Sequence, residues 1–183
     1  MIEEPSTQGP VESIMRDVSA IEDFFRERQE ISFLSVMEAT APKVLLLAAA
    51  SYLEYLTQRI LLEYFKLATN GNEHAIEFVK NKAIERQYHS YFDWTSRNAN
   101  KFFGLFGQKR KAQILRQIAE DDKLASAISS YLELGGLRNQ LVHRNYGAFV
   151  LDKTVQDIFH LYESALYFLH RLPSLLLDEA HDS

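Results

Sequence analysis

The sequence predicts an all-α fold, a helical bundle of five to seven helices, on three observations. Glycine and proline are scarce, at seven and four of 183 residues, whereas an all-β chain needs many tight turns. Apolar residues make up 46% of the chain, which is enough to build a core. Those residues also recur at helical spacing. We expect one domain over residues 11–177, between a flexible leader (1–10) and a frayed tail (178–183).

The first two predicted helices are the longest apolar segments. Apolar residues at helical spacing predict one helix over Val11–Glu38, and Pro42 stands where a second helix would begin. The second helix is expected to run to about Ala68, before the turn signal Asn70-Gly71. Its most apolar stretch, Val44–Leu53, is too short to cross a bilayer. We therefore expect a core helix of a protein that does not associate with membranes.

The later helices are predicted from their capping and stop signals. The aromatic segment Gln87–Thr95 has no periodicity that assigns it to an element. Two helices are predicted without a cap, Glu73–Arg86 and Lys109–Ala119, and between them lies a helix that Ser96 or Asn98 caps and that ends at Gly107. Asp121 is the predicted cap of the helix Lys123–His143. Thr154 is the predicted cap of a last helix that runs to about Leu172, before Pro173.

Composition also limits the class of function. The absence of cysteine excludes disulfides, thiolate zinc sites and a cysteine nucleophile, and it suits a reducing compartment. No basic, apolar signal segment begins the chain, so a cytoplasmic protein is expected. The net charge of −5 argues against broad, non-specific binding of nucleic acid but leaves room for a local basic site.

The stretch Leu134–Phe149 (LGGLRNQLVHRNYGAF) carries the residues best suited to chemistry. On a helix, Asn139 and His143 are four residues apart and therefore neighbours, and Arg138 projects beside them. Arginine offers a fork of donors to phosphate oxygens, and histidine transfers protons near neutral pH. Asparagine can hold either the imidazole or the phosphate. These residue types suit cleavage of a phosphodiester.

The sequence shows neither a metal site nor a cofactor motif beside these three residues. Without a metal, phosphoryl transfer is easiest on RNA, where the 2′-hydroxyl is a built-in nucleophile. One helix supplies only one histidine, and a two-fold dimer would bring a second copy of the same edge into one cleft. The alternative, purely structural interpretation is that Arg138 and His143 only complement the dipole at the end of their helix.

The R-x4-H spacing from Arg138 to His143, with the polar Asn139 after the arginine, resembles the motif of the HEPN superfamily. The pieces LRNQLVH and NKFFGLFG are most similar to its RiboL-PSP branch. The resemblance implies a four-to-five-helix core, a homodimer with the motif at its interface, and a metal-independent endoribonuclease. It further implies Arg138 and His143 as the catalytic pair, Asn139 as their support, and a role as a toxin or in phage defence with an antitoxin or effector partner.

Two points of this interpretation stay open in the sequence. HEPN toxins that a nucleotidyltransferase silences often carry a tyrosine two residues after the histidine. In this sequence that position is Asn145, and Tyr146 follows it. This departure does not favour control by adenylylation. The alternative function is a non-catalytic helical module that binds RNA, a nucleotide or a partner protein. The candidate RNA contacts are Arg144, Tyr146, Lys109, Arg110 and Lys111, although a basic helix such as Lys109–Ala119 is often only a solvated face.

Two other groups of residues have ordinary interpretations. His89 and Asp93 have metal-ligand spacing on a helix, but no third ligand accompanies them in the sequence. Phe102, Phe103, Leu105 and Phe106 could contact bases, yet their helical clustering favours burial in the core.

Overall fold

The structure, a computed structural model, describes residues 9–177, and these residues form helices and no strands. The all-α prediction is confirmed, with eight α-helices in the described residues. The predicted leader, except for Gly9 and Pro10, and the whole predicted tail lie outside the described residues. The α-helices are α1 (Pro10–Glu27), α2 (Ile31–Ala68), α3 (Glu73–Val79), α4 (Tyr88–Tyr91), α5 (Asn100–Gly104), α6 (Gln108–Ala119), α7 (Asp122–His143) and α8 (Val155–Leu176), and a π-helix, Lys80–Ile84, directly follows α3.

The break between the first two long helices falls earlier than predicted. Helix α1 ends at Glu27 and α2 begins at Ile31, with Gln29 between them in the left-handed region at φ 58°. Pro42 lies inside α2 rather than at its start. An interior proline removes one helical hydrogen bond and costs about 3 kcal/mol, so the prediction at Pro42 was reasonable but wrong. Burial of Ala41, Leu45 and their neighbours offsets that cost.

The described residues form two compact units. The first comprises residues 9–52 and 134–162 of the described chain, and the second comprises 53–133 and 163–177. The core of the first unit includes Val11, Leu45, Leu46 and Ile158, all fully buried. The hydroxyl of Tyr162, also buried, donates a hydrogen bond of 3.1 Å to Oε1 of Glu12. This unit holds the end of α7 and therefore the whole Arg138–His143 motif.

The core of the second unit is aromatic, and the unassigned segment Gln87–Thr95 supplies much of it. The ring of Phe92 stacks on Phe102 at 4.7 Å and contacts Tyr131 at 5.2 Å. Phe102 and Phe103 are fully buried, as their clustering predicted, whereas Leu105 is 61% exposed, so the prediction was wrong for that residue. Because four of the segment's residues form only one short helix, α4, its periodicity was too brief to be recognised.

The predicted caps of the last two helices are present. The carboxylate of Asp121 accepts a hydrogen bond of 2.9 Å from the amide of Leu124, at the start of α7. The hydroxyl of Thr154 accepts from the amide of Asp157 at 3.1 Å, and the Asp157 carboxylate accepts from the Thr154 amide at 2.8 Å. Helix α8 then continues past Pro173 to Leu176, which corrects its predicted end at Leu172.

Among residues 9–177, one helix, α2, is long and apolar enough to cross a membrane when judged by length and composition alone. A single helix of this kind is weak support for a membrane span, because the core helices of other proteins meet the same criteria.

Candidate active site

The motif residues and the leucines that anchor α7 lie on different faces of that helix. Leu134 and Leu141 are fully buried, whereas His143 is exposed. Arg138 and Asn139 are half-buried. This division follows from the helical period, because positions seven apart return to one face and the polar residues between them occupy another. The sequence-predicted site residues therefore lie along the accessible edge of a helix whose other face is fixed in the core.

The guanidinium of Arg138 is held by its neighbour in sequence. Its Nη1 donates a hydrogen bond of 3.2 Å to Oδ1 of Asn139. Asn139 in turn precedes His143 by one helical turn, which makes the two side chains neighbours on the helix surface. A guanidinium carries five N–H donors in a planar fork, which is the geometry that binds carboxylate and phosphate oxygens.

His143 is the last residue of α7, and the chain turns sharply directly after it. Oδ1 of Asn145 accepts a hydrogen bond of 3.1 Å from the amide of Gly147. The carbonyl of Asn145 accepts from the amides of Ala148 and Phe149 at 3.0 and 2.9 Å. Asparagine stabilises such turns because its side chain replaces a backbone acceptor. Asn145 therefore shapes the segment that follows the motif.

A lysine that the sequence analysis missed contacts this turn. The Nζ of Lys43, on α2, donates to the carbonyl of Tyr146 at 3.3 Å and lies 5.2 Å from the centroid of its ring. Contacts of this kind fix the turn and add a cation close to the motif. Lys43 precedes Tyr146 by 103 residues, and no local pattern in the sequence marks such a pairing.

The turn after α7 also forms a depression of about 350 Å³. The guanidinium carbon of Arg144 lies 5.9 Å from the centroid of the Phe149 ring within it. Two predicted RNA contacts, Arg144 and Tyr146, thus lie in this segment, and both are exposed. The depression is lined by Arg144, Asn145, Ala148, Phe149 and Val150.

The other predicted RNA contacts belong to the second unit, on α6. Lys109 is exposed and Lys111 is half-buried. Arg110 donates from Nη1 to Oε1 of Gln113 at 3.2 Å and from Nη2 to the carbonyl of Leu177. Those bonds give Arg110 a structural role within its own unit.

No group of three His, Asp or Glu side chains is arranged to hold a metal ion among residues 9–177. The candidate pair His89 and Asp93 gains no third ligand there. The carboxylate of Asp93 instead accepts hydrogen bonds from the hydroxyl of Thr95 at 2.6 Å and from its amide at 3.1 Å, which lower the pKa of Asp93. The Asp93 carboxylate therefore stabilises a turn with Thr95 rather than forming a metal site with His89.

The fold and the motif define an all-α protein with an R-x4-H sequence at the accessible end of a long helix. The chain belongs to the RiboL-PSP-HEPN family, whose model matches residues 12–178. The suspected branch of the HEPN superfamily is thereby confirmed. Comparison with curated proteins and with solved structures gave no significant match.

Proposed function

We propose that this protein is a metal-independent endoribonuclease of the HEPN type that acts as a toxin or a phage-defence effector. The observation that carries the proposal is the grouping of Arg138, Asn139 and His143 along one accessible edge of α7, in a HEPN-type domain. Each of the three residues has a task in cutting RNA, and the fold leaves all three within reach of solvent.

The reaction uses the substrate's own nucleophile. The 2′-oxygen of one ribose forms a bond to the adjacent phosphorus, and the bond from phosphorus to the 5′-oxygen of the next nucleotide breaks. One general base takes the 2′-hydroxyl proton, and one general acid protonates the leaving 5′-oxygen. The products carry a 2′,3′-cyclic phosphate, or a 3′-phosphate after its hydrolysis, and a 5′-hydroxyl.

In this scheme His143 transfers a proton, and Arg138 binds the scissile phosphate and the negative charge that develops on it. Asn139 positions Arg138 through the hydrogen bond between their side chains. The motif of one chain supplies one imidazole, whereas the reaction needs both a base and an acid. A homodimer that joins two motif edges in one cleft supplies the second group.

Inducible expression in bacteria of the wild type, Arg138→Ala and His143→Ala tests this proposal in cells. His170→Ala is the matched control, because His170 is an exposed histidine of the second unit, outside the motif. The wild type and His170→Ala should stop growth with fragmented RNA, and the two motif variants should grow with intact RNA. Equal growth arrest by the wild type and His143→Ala would instead favour the non-catalytic module.

A further inference from the structure

The depression in the turn that follows the motif is a feature that the cleavage scheme does not use. Its lining runs from Arg144, which directly follows His143, to Val150, which is 84% exposed. Its volume of about 350 Å³ lies within the range of small-molecule sites, roughly 300–1,000 Å³. The exposed Val150 and the half-buried Phe149 thus line a depression in the segment that directly follows the candidate catalytic histidine.

The chemistry of this lining matches one nucleotide. An aromatic ring stacks on any base, and an arginine guanidinium either stacks on such a plane or forks onto a phosphate. Phe149 and Arg144 supply these two groups, with the guanidinium carbon over the ring and 5.9 Å from its centroid. The depression therefore offers a platform for a flat, apolar base and a cation for the charged backbone attached to it.

The segment that forms the depression is held near its start, by contacts of Asn145 and Tyr146. Asn145 stabilises its turn through its side chain and its carbonyl. Lys43 donates to the Tyr146 carbonyl and lies over the Tyr146 ring. Binding to a segment that is already ordered costs less conformational entropy than binding to a free loop.

From these contacts we infer that the depression is a subsite for one unpaired nucleotide of RNA adjacent to the phosphate that is cut. The base stacks on the Phe149 ring, and the guanidinium of Arg144 leaves that ring to pair with a neighbouring phosphate. This inference rests on the proposed ribonuclease function and adds a requirement to it. Because bases within a duplex are already stacked on one another, the substrate is single-stranded at this position.

The subsite is tested with short RNAs that are 2′-O-methylated throughout, so that no 2′-hydroxyl can attack. Each RNA of the series carries the fluorescent base 2-aminopurine at a different single position. Stacking on Phe149 should quench 2-aminopurine at one position in the wild type. Phe149→Leu should lose that quenching and bind roughly five-fold or more weakly, because stacking contributes about 1–3 kcal/mol per base. Phe33→Leu is the control, since Phe33 is 58% exposed and does not line the depression.

Cleavage of the matching all-ribose RNA, followed in parallel, separates this inference from the proposed function. Quenching that depends on Phe149 supports the subsite whether or not RNA is cut. Binding without quenching, quenching that Phe149→Leu retains, or no binding at all overturns the subsite. In each of these cases the cleavage assay still decides the ribonuclease proposal by itself. Thermal melting of Phe149→Leu shows that the variant is folded.

Discussion

The hydrogen bond from Arg138 to Asn139 is the detail of the motif with the clearest consequence for a single residue. A guanidinium on a long side chain loses conformational freedom when it clamps a phosphate, and a partner that fixes it beforehand reduces that loss. Asn139 provides an oxygen acceptor 3.2 Å from Nη1 of Arg138. Asn139 is therefore a positioning residue that acts through Arg138.

Substitution of Asn139 separates this role from a merely structural one. Asn139→Ala should lower kcat for RNA cleavage about ten-fold with little change in KM, because the arginine is less well placed in the transition state. Asn139→Asp keeps the oxygen acceptor and should restore most of kcat. Equal loss in both variants would show that the amide nitrogen of Asn139, rather than its oxygen, is what matters.

Sequence reasoning reached the motif residues but not the residues that hold the segment after them. Arg138, Asn139 and His143 could be found because a helical period of 3.6 places them on one edge, and the residues themselves lie close together in sequence. Lys43 could not, since its contact with Tyr146 depends on tertiary packing. Asn145 was noticed only as a departure from the family motif, and its structural reason is the turn that it stabilises.

At the scale of elements, the start of α8 depends on the reciprocal bonds between Thr154 and Asp157. Each side chain accepts from the other's amide, which satisfies two donors that a helix start leaves unpaired. Thr154→Ala should lower the free energy of unfolding by about 1 kcal/mol in urea titrations. Ser174→Ala, at an exposed position late in the same helix, serves as the control. A Thr154→Ala variant as stable as the wild type would contradict the capping role.

The same cap should respond to pH through Asp157. Hydrogen bonds from the amide and then the hydroxyl of Thr154 lower the pKa of Asp157 below its ordinary value of 3.8. A carboxyl whose pKa is lowered by folding stabilises the fold above its unfolded pKa and loses that effect as pH falls through the folded pKa. Asp157→Asn should therefore melt below the wild type at neutral pH. Near pH 2 the two melting temperatures should converge, and a difference that persists there would refute the linkage.

The element boundaries that sequence reasoning missed share a physical cause. Pro42 and Pro173 both lie inside helices, where each removes a backbone donor and would ordinarily mark an end. Leu45 beyond the first and Leu175 beyond the second are fully buried, and that burial offsets the cost. The true break at Gln29 lies in a charged stretch, Arg28–Glu30, with no apolar face to bury. Local propensity was overridden by packing, which local sequence does not encode.

At the scale of the whole molecule, the second unit depends on a buried chain of hydroxyl groups. The Tyr131 hydroxyl bonds those of Thr57 and Tyr88, both at 2.8 Å, inside the aromatic core. Burial raises the pKa of Tyr131, so its hydroxyl stays protonated. A polar group is tolerated in such a core only when it is hydrogen-bonded.

Removal of the Tyr131 hydroxyl should destabilise the protein. Tyr131→Phe deletes two buried hydrogen bonds and should lower the free energy of unfolding by about 1–3 kcal/mol. The single tryptophan, Trp94, lies 6.3 Å from the Tyr131 ring, so its fluorescence reports unfolding in urea. Tyr64→Phe is the control, because no hydrogen bond of the Tyr64 hydroxyl is found within residues 9–177. Equal stability of the two variants would contradict this role.

Assembly is the second prediction at this scale. The proposed reaction needs two motif edges, so the active species should have twice the 21.2 kDa mass of the chain in light scattering. Cleavage per mole of chain should fall on dilution as the dimer dissociates. Full activity from a species with the mass of a single chain would show that one motif is sufficient and would remove the composite site from the account.

The central claim is that Arg138 and His143 cut RNA without a metal. Its most direct test is cleavage of a defined single-stranded RNA by the purified protein in EDTA, with analysis of the new ends. The wild type should produce 2′,3′-cyclic phosphate or 3′-phosphate ends with 5′-hydroxyl partners, and His143→Ala should be slower by at least about 100-fold, since general acid–base catalysis contributes roughly 10²–10⁴-fold. Activity that EDTA abolishes, 5′-phosphate ends, or a His143→Ala variant as fast as the wild type would contradict the claim.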